Sequence, residues 1–387
     1  MTNIRAFSSK PTIFENNSYE IRVESPGRIN LIGEHTDYNE GFVLPTAIDR
    51  RIILKFKKNQ TENFCRIYSE TFKKGFEFYL DKSFEKASGW ENYILGVVRE
   101  LQYHKTNLEG FDCLIESELP VGAGISSSAA LECGIAGGLN KLFQIGLKDI
   151  EIVQLSQKAE NDFVGSNCGI MDQFSSVMSK KGHIILLDCQ SLEAEFIPAN
   201  FKDCKLLLLN TNVSHNLADS DYNSRREECE AAIQIIQKEK PEIKSVRDLS
   251  FELLENFKDK LTGKMYERCS YVLKENKRVL AAANVLKSGD LQSFGKLMYA
   301  SHEGLQNNYE VSCSELDYLV DYSRDKEFIY GSRMMGGGFG GCTINLIKEE
   351  KLEEYIEEIS ATYFQKFNIE LDAISVLPDE GTKIFKI

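Results

Sequence analysis

Residues Tyr19 to Leu31 alternate apolar and polar side chains, and that two-residue period predicts a strand. Arg50 to Lys57, Phe64 to Ser69 and Gly75 to Leu80 are β-branched or aromatic and predict further strands. The period then changes. Tyr93, Ile94, Val97, Val98 and Leu101 fall at helical spacing, so Trp90 to His104 reads as a helix. Phe111 to Leu119 returns to strand. Helices follow from the serines at 126–128 to about Phe143, over Leu147 to Phe163, and from Asp172 to about Ser179. His183 to Cys189 is strand, and a turn-rich passage runs through Ala199.

Lys205 to Thr211 is a leucine-rich strand after a change of composition, which puts a domain boundary near residue 200. Helices are predicted over Ala218 to Lys238, Phe251 to Leu261, Met265 to Lys287, Leu291 to Asn307 and Cys313 to Arg324. Thr343 to Ile347 is strand-like. Leu352 to Phe367 is amphipathic, and residues 371 to 378 close with a strand. No internal repeat or low-complexity linker interrupts the chain.

Three polar or glycine-rich passages break this pattern. The first follows the opening strand, in Ser25-Pro26-Gly27-Arg28 through Gly33-Glu34-His35-Thr36-Asp37-Tyr38. It sets a permanent cation, two carboxylates and an imidazole close together. The second is Pro120-Val121-Gly122-Ala123-Gly124-Ile125-Ser126-Ser127-Ser128. Serine is a favoured N-cap, and a strand, a glycine loop and a helix N-terminus make an anion site by geometry. The third, Gly336 to Gly341, formally matches Gly-x-Gly-x-x-Gly, but it leads into a strand where a dinucleotide fingerprint opens a helix. It is therefore expected to be a hairpin. No P-loop lysine motif and no His-Arg-Asp or Asp-Phe-Gly occurs, which excludes P-loop enzymes and protein kinases.

Composition narrows this further. The 387 residues suit two domains, and 42% hydrophobic with 27% charged residues is ordinary for a soluble protein. The net charge of −13 argues against nucleic acid as a partner. Met1 to Glu20 has no apolar run of the secretory kind, and no stretch approaches a membrane span. Ten scattered cysteines without a Cys-x-x-Cys pair read as reduced thiols, so a cytoplasmic location is expected. The five histidines, at 35, 104, 183, 215 and 302, form no metal-ligand pair.

Three motifs in this order resemble the GHMP small-molecule kinases: Ser25 to Leu31, Pro120 to Ala130 and Gly336 to Gly341. Gly33 to Asn39 is similar to the signature of the galactokinase branch, and Cys168-Gly169-Ile170-Met171-Asp172-Gln173 also resembles that branch. Glu40 departs from that signature, which more often has glycine there; only a local turn difference is expected.

The resemblance implies an α+β, two-domain GHMP kinase fold. Its N-terminal part (residues 1–200) would be like ribosomal protein S5 domain 2 and its C-terminal part (201–387) ferredoxin-like, with the site in the cleft. It implies ATP and Mg²⁺ as cofactors and transfer of the ATP γ-phosphoryl group to the C1 hydroxyl of D-galactose, the first step of galactose metabolism. Asp172 would be the proton acceptor and Arg28 would stabilise developing charge. Glu34, His35, Thr36, Asp37, Gly169 and Tyr222 would bind the sugar. Gly122, Ala123, Gly124, Ile125, Ser126, Ser127 and Ser128 would wrap the ATP phosphates, with Ser69 touching the nucleotide. Ser128 and Glu160 would hold Mg²⁺, and Trp90 and Tyr93 would lie towards the nucleotide. A monomer is expected, with small molecules as partners and neither nucleic acid nor membrane.

The chemistry suits those residues. Carboxylates accept hydrogen bonds from hydroxyls, and imidazole donates or accepts according to tautomer. Phosphoryl transfer needs mostly positioning and charge stabilisation, so a weak carboxylate base is adequate. Two alternatives remain at this level: a kinase for N-acetylgalactosamine, which needs room at C2, and a non-catalytic sugar and ATP sensor. The sensor reading is disfavoured by the presence of Asp172, Glu160 and the complete Gly122 to Ser128 loop.

Overall fold

The computed structural model describes residues 4–15, 18–81, 83–104, 107–120, 122–214 and 218–387, with the backbone alone for 214 and 218–221. His215 lies outside the described residues. The strands are β1 (Arg5–Phe7), β2 (Ile21–Asn30), β3 (Phe42–Val43), β4 (Pro45–Lys58), β5 (Phe64–Ser69), β6 (Lys74–Tyr79), β7 (Phe111–Ser117), β8 (His183–Asp188), β9 (Ala194–Pro198), β10 (Cys204–Ser214), β11 (Ile329–Met334), β12 (Gly340–Lys348), β13 (Asp372–Val376) and β14 (Lys383–Lys386). The helices are α1 (Glu91–Tyr103), α2 (Ser127–Leu142), α3 (Asp149–Ala159), α4 (Met171–Met178), α5 (Ala218–Gln237), α6 (Phe251–Asn256), α7 (Gly263–Ser288), α8 (Leu291–Gly304), α9 (Ser314–Arg324) and α10 (Leu352–Phe367).

Seven strands form the first sheet, in the order β1-β6-β5-β7-β4-β2-β14. β3, β8 and β9 make a small second sheet. The third has the order β11-β12-β10-β13 with every neighbour antiparallel. Numbered within its own domain that order is 2-3-1-4. With helices between its first two and last two strands, this is the ferredoxin-like arrangement. The observed architecture is thus two α+β units, as expected for a GHMP kinase.

Alternation explains how one strand serves two cores. Leu206 and Leu208 of β10 face the central core shared with the first sheet, while Leu207 and Leu209 face the outer layer under α10. All four are buried, which is why the run reads as continuously apolar. Helix α2 lies close on the first sheet because it is built from small residues. A Cβ at Gly138 would meet the Phe56 ring at 2.2 Å, and one at Gly134 would meet Leu54 at 2.4 Å.

Several expectations change. The chain does not stay in its second unit after residue 200: β14 returns and pairs antiparallel with β2, Lys383 opposite Glu24. Four residues of isolated strand carry little sequence signal, and only the free edge of β2 makes them one. β1, β3 and β9 are likewise short strands recruited by neighbours. Two predicted helices end in wider π-turns, at Glu160–Val164 and Leu305–Tyr309. Phe251 to Leu261 breaks into α6 and a short 3-10 turn at Lys258–Lys260.

Among the described residues, no helix is long and apolar enough to cross a membrane. Among the described glycines, the one with least room stands between α8 and β11: a Cβ at Gly295 would sit 1.8 Å from the Tyr330 carbonyl oxygen. Backbone cannot move aside as a side-chain tip can. Gly295→Ala is expected to lower stability by roughly 1–3 kcal/mol, at the upper end of that range, in urea unfolding. An unchanged midpoint would mean that the helix is free to lift off the strand.

Candidate active site

A cavity of about 370 Å³ opens between the two units. Its walls come from the turn after β2, the approach to α4, the start of α5 and the glycine hairpin between β11 and β12. Local sequence explains each wall. The hairpin tip has Gly336, Gly338, Gly340 and Gly341 at positive φ. The two sides of that tip are pressed against other backbone, so a Cβ at Gly338 would meet the Val311 carbonyl at 2.0 Å.

Arg28 and Asp172 meet at the floor. Arg28 Nε donates to Asp172 Oδ1 at 2.6 Å and Nη2 to Oδ2 at 2.9 Å, a bidentate pair. The remaining arm, Nη1, donates to the Gly124 carbonyl at 2.8 Å. Ser126 also donates its hydroxyl to Asp172 Oδ2. This corrects one expectation. Ser126 stands at the N-cap of α2, but it is left-handed (φ 57°) and makes no side-chain cap. Its oxygen is turned to the aspartate, and the first-turn amides of α2 have no upstream carbonyl partners in the helix.

The signature turn is held mainly by protein contacts. Glu34 is buried, accepts from Asn30 Nδ2 at 3.0 Å and the Gly336 amide at 2.9 Å, and pairs with Arg333 at 3.1 Å. His35 Nε2 faces the Gly337 carbonyl at 3.2 Å, and Nδ1 faces the Tyr38 hydroxyl at 2.8 Å. A carbonyl only accepts, so the proton is on Nε2 and Nδ1 accepts from Tyr38. Burial lowers the imidazole to about 3, so the ring is neutral. Its one N–H is already given to the hairpin. The Thr36 hydroxyl is shared between the Gly33 and Phe42 carbonyls and lies outside the cavity wall. Glu40 is left-handed (φ 59°), the conformation glycine adopts without strain.

Asp37 lines the cavity beside Asp172. Burial, then the charges of Asp172 and Glu34, push its carboxyl up to about 7 against the pull of the Tyr38 backbone amide and Arg28. Gly169 makes room for it: a Cβ there would sit 2.0 Å from Asp37 Oδ2. Tyr222 closes the same side, its ring 5.4 Å from that of His35. Asn223 beside it has a buried side-chain oxygen with no partner.

A second acid cluster lies behind. Glu160 accepts from Gln173 Nε2 at 2.6 Å, and Ser128 is near enough to pull its carboxyl down slightly. Burial and the Asp172 charge raise it. Glu132 on α2 is wholly buried, and burial plus Glu160 raise it further; its Oε1 has no partner. Crowded carboxylate oxygens with an unfilled lone pair suit a small hard cation.

The sequence matches the GHMP kinases N terminal domain over residues 92–180, the galactokinase galactose-binding signature over 12–58 and the GHMP kinases C terminal domain over 281–365. It is 41% identical over 363 residues to a galactokinase of Thermotoga maritima, covering 94% of this chain and 99% of that one. A galactokinase of Clostridium acetobutylicum is 43% identical over 371 residues, covering 94% and 95%. The chain belongs to the galactokinase family of GHMP kinases. Among solved structures, Lactococcus lactis galactokinase complexed with galactose superposes with TM-score 0.90 at 33% identity, covering 95% of each chain. Methanococcus jannaschii mevalonate kinase, at 22% identity and TM-score 0.65, shares the fold.

Of the residues the galactokinase resemblance singles out, Arg28, Glu34, His35, Asp37, Glu160, Asp172, Tyr222 and Tyr93 line the one cavity. Gly169 stands behind Asp37. Gly122 to Ser128 do not line the cavity and reach it only through Arg28 and Asp172, and Ser69 and Trp90 are not brought there. The Ser69 hydroxyl accepts from the Phe72 amide in the β5–β6 turn, and Trp90 packs on Phe72 and Phe76. Sequence reasoning missed Glu132, Asn223 and Arg333. Glu132 carried a signal, an acid inside a helix of small apolar residues. Arg333 had none, because its partner is 299 positions away and no local pattern encodes that pairing.

The raised Asp37 carboxyl makes stability depend on pH. The folded chain holds this proton more tightly than the unfolded one, so the contribution is full near pH 4 and is lost as pH rises towards 7. Asp37→Asn is expected to gain on the wild type between pH 5 and 7, by at most about 1.4 kcal/mol per pH unit, and to level off above. Urea unfolding across pH 5–8 measures it; a pH-independent difference would remove Asp37 from this role.

Proposed function

We propose that the protein is an ATP-dependent galactokinase. It transfers the γ-phosphoryl group of ATP to the C1 hydroxyl of α-D-galactose, giving α-D-galactose 1-phosphate and ADP. The observation that carries this is the bidentate Arg28–Asp172 pair, set between a glycine loop at a helix N-terminus and a wall of sugar-type acceptors.

Asp172 accepts or orients the proton of the attacking hydroxyl. Arg28 holds both carboxylate oxygens and places them, and its charge offsets negative charge that develops during transfer. The amides of Gly122 to Ser128 meet the phosphates. Asp37, Glu34 and Tyr222 face the sugar hydroxyls, and Gly169 gives Asp37 its place. A site that pairs each hydroxyl rejects epimers, because its own buried groups are otherwise left unpaired.

The oxygen donors fit Mg²⁺, which is held through one or two carboxylates and the substrate phosphates. Ser128 and Glu160 would hold it, and when bound it would neutralise phosphate charge. The ten cysteines are free thiols, which supports a cytoplasmic enzyme, and we read it as a monomer.

Asp172→Asn keeps the size of the side chain but not its basicity. Turnover is expected to fall by about 10²–10⁴-fold while galactose still binds in calorimetry; near-wild-type turnover would exclude Asp172 as the base. The decisive assay is ADP release with Mg²⁺-ATP across galactose, glucose, talose, N-acetylgalactosamine, mevalonate and homoserine. Galactose is expected to give the highest kcat/KM, and no galactose-dependent release would sink this reading.

A further inference from the structure

A directional chain of hydrogen bonds starts at the cavity and ends inside the helical region of the second unit. The Gly337 carbonyl fixes the first proton on His35 Nε2, across 3.2 Å. His35 Nδ1 is then a bare acceptor, and the Tyr38 hydroxyl is its donor at 2.8 Å. The Tyr38 oxygen is left to accept, and Tyr309 OH lies 2.9 Å away. The Tyr309 oxygen in turn has the Cys229 thiol at 3.4 Å. In the three links from Gly337 to Tyr309 each donor is used once. The rings are also packed: His35 lies 4.8 Å from Tyr309, and Tyr309 4.7 Å from Tyr271. Tyr309 is fully buried, at the end of the π-turn that closes α8.

None of this touches the reacting atoms. Its members His35 and Gly337 line the cavity, and the Gly337 carbonyl is the acceptor on which the chain ends there. A carbonyl has two lone pairs. His35 takes one and so fixes the direction of the other. We propose that Tyr38 and Tyr309 are positioning residues for sugar binding, acting through the His35 tautomer to hold the Gly337 carbonyl at the cavity wall. The proposal rests on the reading that this cavity takes a sugar.

Two readouts test it. In nitrogen-15 NMR of the unliganded protein, with His35→Gln used only to assign the signal, His35 is expected in the Nε2–H form. Tyr38→Phe should move the Nδ1 resonance. The same variant should raise KM for galactose roughly 5- to 30-fold, the effect of one lost buried hydrogen bond, with kcat within about threefold and KM for ATP unchanged. Tyr309→Phe, one link further out, should give the same pattern more weakly, roughly 2- to 5-fold. A proton on Nδ1, an imidazolium, or unchanged galactose KM in a folded Tyr38→Phe protein would overturn the proposal. If Tyr38→Phe does not fold, the wild-type tautomer and Tyr309→Phe decide. Failure of the wild type to phosphorylate galactose would instead remove the functional reading, and the tautomer would still report on the chain itself.

Discussion

The Glu34–Arg333 ion pair joins the two halves of the molecule at the point where they must agree. Both side chains are almost wholly buried, at 2% and 0% exposure. Glu34 comes from the signature turn of the first unit and Arg333 from β11 of the second. Arg333 also donates to the Asn30 carbonyl, and Glu34 also accepts from the Gly336 amide at the start of the hairpin. A buried pair is not by itself a source of stability, because desolvation offsets the attraction. Its effect here is geometric. Removing either partner leaves a buried charge, at about 3–5 kcal/mol, so the turn and the hairpin can occupy only the arrangement that keeps both paired.

The helical region has a role that follows from the same constraint. Helix α7 reaches the signature turn with three groups in succession. Tyr271 OH donates to the Glu34 carbonyl, Glu275 Oε1 accepts from the Gly33 amide, and Asn276 Oδ1 accepts from the Phe42 amide. Positions 271 and 275 are one helical turn apart, so they share a face. The helices inserted after β10 are therefore a brace for the signature turn. This explains how a turn with a left-handed histidine (φ 63°) and a left-handed glutamate stays fixed: the strain is local, and the clamp is supplied from elsewhere.

What could be read from the sequence follows the range of the interaction. The strand before Arg28, the glycine loop opening α2 and the hairpin at Gly336 are all written in consecutive residues, and the sequence pattern predicts each. The clamps are not. Gly33 to Glu275 and Glu34 to Arg333 span most of the chain, and nothing near Arg333 distinguishes it from an exposed strand arginine. Ser126 shows the opposite error. Local rules make it a helix cap, but Asp172, 46 positions on, takes its hydroxyl. β14 fails for the same reason, since its strand character belongs to the edge of β2.

Electrostatics decide how a triphosphate can enter. Asp37, Asp172, Glu132, Glu160 and Glu34 crowd one region, and its two buried arginines are engaged, Arg28 by Asp172 and Arg333 by Glu34. No free side-chain cation is among the described residues that line the cavity. On the proposed function, phosphate charge would fall to the amides at the start of α2 and to a cation held by the acids. Arg28 makes these two halves one device. Its guanidinium holds the Asp172 carboxylate with two arms and the Gly124 carbonyl of the glycine loop with the third. A planar fork cannot turn towards one partner without moving the other. The position of the Gly122 to Ser128 loop and that of the Asp172 carboxylate are then a single coordinate, so on the proposed function a nucleotide that settled the loop would also settle the carboxylate.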